Sequence, residues 1–84
     1  TKEKATEILR HYFKLKHDIS NFVILDIQNN MVDVYFIVTH NVFNDENINF
    51  RSVTFEQKSI TGTIDISLAK MYVNSKVDEV ELFE

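Results

Sequence analysis

The chain has 84 residues, a net charge of −4, one glycine, no proline and no cysteine. Its length fits one domain, 1–84, and the lack of cysteine excludes disulfide staples and a thiolate zinc site, so apolar packing has to hold the fold. The supply is generous at 44% hydrophobic, with seven Phe.

Residues 2–16 have the pattern of an amphipathic helix. Ala5, Ile8, Leu9 and Tyr12 fall at i, i+3, i+4 and i+7, and Leu15 and Ile19 extend the stripe. Thr1 is placed as N-cap. Glu3 and Glu7 sit toward the positive end of the helix dipole, and Lys14, Lys16 and His17 toward the negative end. Phe13 falls off the stripe, and Asp18 to Asn21 turn the chain.

Residues 22–27 and 31–38 are rich in β-branched and aromatic side chains, with Asn29-Asn30 as a two-residue turn between them. That turn sets a register. Gln28 pairs with Met31; Ile27 then pairs with Val32, Leu25 with Val34 and Val23 with Phe36, and these six make one apolar core face. The opposite face pairs Asp26 with Asp33, Ile24 with Tyr35 and Phe22 with Ile37.

A polar loop over 39–47 carries Val42 and Phe43. A second hairpin is expected with Lys58-Ser59 at its tip, pairing Gln57 with Ile60, Phe55 with Gly62, Val53 with Ile64 and Arg51 with Ile66. The other face pairs Glu56 with Thr61, Thr54 with Thr63 and Ser52 with Asp65. Phe55 would then cover the only glycine of the chain. Alternation falters at Phe50-Arg51: either a bulge returns Phe50 or Ile48 to the core, or both add to an exposed apolar strip. Residues 68–73 fit either a continuation of the fourth strand or a short helix through Ala69, Lys70 and Met71. Residues 77–83 fit a last strand, with a helix capped by Ser75 as runner-up.

The fold class expected is α+β, an N-terminal helix packed on one face of an antiparallel four- to five-stranded meander with a C-terminal strand. The expected core is Ile8, Leu9, Tyr12, Val23, Leu25, Ile27, Val32, Val34, Phe36, Val53, Phe55, Ile64 and Ile66.

Few motifs point to chemistry. His11 and His17 are six apart and so lie on different helix faces, and His40 sits near Asp45 and Glu46 in the loop. With one glycine there is neither a phosphate loop nor a nucleophile elbow, and the expectation is a non-enzyme with no cofactor and no metal. The Asp26–Asp33 pair would serve as a cation site or an acid/base pair, but the preferred account is two solvated carboxylates splaying apart, or balance by a nearby Lys or Arg.

The face carrying Phe22, Ile24, Asp26, Met31, Asp33, Tyr35 and Ile37 is apolar and aromatic where a solvent-backed sheet would be polar. It is the candidate interaction face, for another protein or a second copy of the chain. Base stacking on its aromatics is the second choice, weakened by the acidic balance. No apolar run approaches the roughly 20 residues of a membrane span, and the polar start is unlike a secretory signal. The sequence thus reads as a soluble, cytoplasmic protein-binding module without a membrane partner: an inhibitor, immunity or accessory protein, with a Lys, Asn and Ile bias that fits a phage or mobile element.

Overall fold

A computed structural model of the protein describes residues 2–37, 45–54 and 58–76, apart from the side chains of residues 53 and 54. The element order is α1 (Lys2–His17), β1 (Phe22–Gln28), β2 (Met31–Ile37), β3 (Ile48–Thr54), β4 (Ser59–Asp65) and α2 (Ile66–Lys76). The α+β class is as expected, with a second helix added to the N-terminal helix and the four antiparallel strands. The Thr1 cap, the loop residues His40, Val42 and Phe43, the Phe55 to Gln57 pairings and the 77–83 segment lie outside the described residues.

Ala5, Ile8, Leu9 and Tyr12 of α1 are buried, as their spacing predicts. Two neighbours trade roles. Phe13 is fully buried, its ring 5.2 Å from that of Phe22 and 5.0 Å from that of Phe36, whereas Leu15 is half exposed. Ala5, Leu9 and Phe13 form a row at four-residue spacing facing the sheet. Leu15, six residues past Leu9, is rotated by about 240° from it and reaches solvent. The helix stops without glycine: Asp18 takes φ 55°, its N–H donates to Lys14 O, and Ile19 N–H donates to Phe13 O.

The β1–β2 hairpin keeps the expected register near its turn, where Asn29 adopts φ 58°. Gln28 pairs with Met31, Ile27 with Val32 and Asp26 with Asp33. A bulge at Leu25 then shifts the pairing, so that Ile24 faces Val34, Val23 faces Tyr35 and Phe22 faces Phe36. One extra residue reverses the faces of everything before it. Phe22 and Ile24 therefore pack on the core, while Val23 and Leu25, expected inside, are 55% and 56% exposed.

The strand order is β1-β2-β4-β3, which corrects the meander. β4 pairs with β2 on one side and β3 on the other, so β2 and β3 run in the same direction with β4 between them. Two parallel strands need a long connection, and the ten residues from 38 to 47 supply it.

In the second hairpin Thr54 pairs with Ser59, Val53 with Ile60, Ser52 with Thr61, Phe50 with Gly62 and Ile48 with Ile64. This register differs from the expected one by an even step, so β4 keeps its faces. The anticipated bulge is present at Arg51 and returns Ile48 to the buried core and Phe50 to its margin. Phe50 stands across from the glycine, and Ile48 fills the space where a Gly62 side chain would be.

Residues 66–76 form the helix alternative. Asp65 Oδ1 accepts the Ser67 N–H at 2.8 Å, an N-cap, and Ile66 N–H donates to Asn30 O at 2.7 Å. Ala69 and Val73 of α2 join α1 and the β2, β3 and β4 residues in a single cluster, so both helices cover the same sheet face. Of the expected core, Ile8, Leu9, Tyr12, Val32, Val34, Phe36 and Ile64 are buried; Ile27 and Ile66 flank them, and Phe13, Ile19, Ile48 and Ile60 are additions. Among the described residues no helix is long and apolar enough to cross a membrane.

Candidate functional site

The sheet face turned away from the helices divides into two halves. On β4 and β3 it carries Thr61, Thr63, Asn49 and Ser52, all polar. On β1 and β2 it carries Val23, Met31, Tyr35 and Ile37 with Asp26 and Asp33. Five of the seven residues expected on this face are there: Asp26, Met31, Asp33, Tyr35 and Ile37. The Leu25 bulge turns Phe22 and Ile24 inward and brings Val23 out in exchange. Ile37 is 57% exposed and Met31 43%, so the apolar half lies open.

Asp26 and Asp33 are cross-strand neighbours, as the register predicts. Asp33 is balanced from the polar half: Arg51 Nη1 lies 2.9 Å from Oδ2, and Thr63 Oγ1 donates to Oδ1 at 2.6 Å. The arginine is the bulge residue of β3, so the bulge that restores Ile48 to the core also places a cation beside an acidic pair. Among the described residues no group of three or more His, Asp or Glu side chains is placed to hold a metal ion.

A second polar constellation is missed by the sequence. Asp45, whose side chain has no exposed surface, gathers four donors. Tyr12 OH and His17 Nε2 donate to Oδ2 at 2.5 and 2.6 Å, and Lys16 Nζ and Asn47 N–H donate to Oδ1 at 3.1 and 2.9 Å. Lys16 Nζ also lies 5.0 Å from the centre of the Tyr72 ring. Burial pushes the Asp45 carboxyl up, but the bonds from His17, Tyr12, Asn47 and Lys16 outweigh it and hold the group well below the usual carboxylate range. Burial and the adjoining carboxylate push the Tyr12 hydroxyl well above the usual phenol range.

The histidine near Asp45 is thus His17, from the end of α1, while His40 lies outside the described residues. The cluster pins residues 45–47 to α1, with Tyr12 and the Asp45 side chain fully buried. No sequence signal marks it, because Tyr12 and Asp45 are 33 residues apart.

No family model, curated protein or solved structure matches this chain.

Proposed function

We propose that the protein is a non-enzymatic protein-binding module, in kind an inhibitor, immunity or accessory protein, that engages its partner through Val23, Met31, Tyr35 and Ile37. The observation carrying this reading is the uncovered apolar half of the outer sheet face, bordered by Asp26, Asp33 and the polar half on β3 and β4. An apolar centre with a hydrogen-bonding rim is the usual anatomy of a protein interface. Stacking of nucleic-acid bases on Tyr35 is the weaker alternative: two carboxylates share its face, Arg51 is engaged with Asp33, and the chain carries net charge −4.

The test is capture from a lysate of the native host with the wild-type chain and with Tyr35→Ala, which removes an aromatic anchor. The expected outcome is a protein retained by the wild type and bound about tenfold more weakly by the variant, whose circular dichroism is unchanged. Equal retention by both, or a salt-sensitive shift of nucleic acid with no protein captured, would overturn it.

A further inference from the structure

We infer, on the reading of the sheet face given above, that its partner presents a cation between two apolar side chains, an arginine or lysine that docks on Asp26.

The strand register sets the side chains of the outer face in rows. Along β2, Met31, Asp33, Tyr35 and Ile37 follow one another at alternate positions, about 7 Å apart. On β1, Asp26 stands across from Asp33 and Val23 across from Tyr35. Asp26 therefore interrupts the apolar strip, with Met31 diagonal to it on one side and Tyr35 on the other.

Within the chain the two aspartates are treated differently. Asp33 has Arg51 Nη1 at 2.9 Å and the Thr63 hydroxyl at 2.6 Å. Asp26 is exposed and has no hydrogen-bond or ion-pair partner among the described residues. Lys2 lines the same shallow depression at the edge of β1 but forms no ion pair with it. Like charges directly opposite one another on two strands are destabilising. Arg51 offsets the charge of Asp33 and leaves that of Asp26.

The remaining charge selects the occupant. Arg51 is the only cation on the four strands, against Asp26, Asp33 and Asp65. A second copy docked face to face returns the same surface, so each Asp26 would be covered with no spare cation. Nucleic acid would bring phosphate to a carboxylate. A wholly apolar partner would take water from Asp26 and put nothing in its place. An extended protein segment repeats its side chains at the spacing of β2. With a cation at one position and apolar residues two places to either side, it meets Asp26 while covering Met31 and Tyr35.

The test measures two pools of short synthetic peptides on the immobilised full chain. Each serine-rich peptide carries Leu, Phe or Tyr two places before and two places after a central residue. That residue is arginine in one pool and citrulline, its neutral isostere, in the other. The wild type should bind the arginine pool about fivefold more tightly, and the preference should shrink at high salt. Asp26→Asn should bind both pools equally, with no fall in its urea midpoint because a like-charge pair has been removed. Tyr35→Ala should weaken both pools. No preference in the wild type, or one that survives in Asp26→Asn, overturns the inference; if Tyr35→Ala still weakens both pools, the face keeps a partner of other chemistry. Equal binding by wild type and Tyr35→Ala removes the face itself. Retention of neither pool, self-association lost in Tyr35→Ala, or binding of oligothymidylate in their place also overturns the inference.

Discussion

A carboxylate with no exposed surface loses its hydration and must recover it from donors. Asp45 does so with four, and two of them come from side chains that can carry charge. Asp45→Ala strips all four donors of their acceptor and leaves Lys16 a cation with 19% of its side chain exposed. Removing one partner of a buried pair costs about 3–5 kcal/mol. Because water still reaches part of Lys16, the expected loss is near the low end, about 3 kcal/mol, read from urea midpoints. Tyr12→Phe removes one donor of four and should cost only about 1 kcal/mol. Asp45→Ala also exposes a pH dependence. Asp45 holds its proton less tightly in the folded state than in the unfolded state, so below the ordinary carboxylate range the unfolded chain takes up the extra proton. The stability Asp45 provides is complete above about pH 4 and is lost as pH falls further. Tyr12 has the opposite sign: its raised value keeps it neutral when folded, and its contribution is lost as pH rises beyond about 10. The stability gap between wild type and Asp45→Ala should therefore be widest at neutral pH and close below about pH 4; a gap unchanged at pH 3 would place the electrostatics elsewhere.

At the scale of single elements, two bulges decide which side chains face the core. At Gly62, a Cβ would come within 2.7 Å of Ile48 Cγ2 and 3.3 Å of Asn49 O. Gly62 sits at an ordinary negative φ, so space and not backbone conformation requires the glycine. Gly62→Ala should cost about 1–3 kcal/mol through overpacking. Combined with Ile48→Ala it should cost less than the sum of the two, because the second change removes the obstruction; strict additivity would refute the contact. The Arg51 bulge is legible in the sequence because a charge interrupts an apolar alternation there. The Leu25 bulge is not. Phe22, Val23, Ile24 and Leu25 are apolar at every position, so either parity gives a credible core, and only packing against Phe13 and Phe36 selects Phe22 and Ile24. The sequence leaves the second helix as one of two readings because Ile64, Ile66 and Leu68 continue a strand parity, while Asp65, which caps the helix, also fits the outer face of a strand. The Asp45 cluster is a tertiary contact, and nothing local to the loop announces it.

At the scale of the whole molecule, the sheet has one packed face. Both helices and the buried residues of β2, β3 and β4 belong to one cluster, so adjacent positions along β2 should differ sharply in their effect on stability. Phe36 is 1% exposed and packs on Phe13, while Tyr35 is its neighbour on the opposite face. Phe36→Ala removes a ring from the core and should cost about 3–5 kcal/mol. Tyr35→Ala, at a partly exposed site, should cost less than about 1 kcal/mol. Val34→Ala and Ile37→Ala should repeat the contrast on a smaller scale, so that the loss alternates with period two along the strand. Urea unfolding of the four variants, at a chain concentration low enough to keep any dimer dissociated, reads this directly. If Tyr35→Ala costs as much as Phe36→Ala, the outer face is itself a core covered by another part of the chain. The strip around Tyr35 would then be unavailable to a partner, and the binding proposal would lose its surface. The expected alternation leaves that face as spare apolar area, which the stability of the monomer does not explain and an interface does.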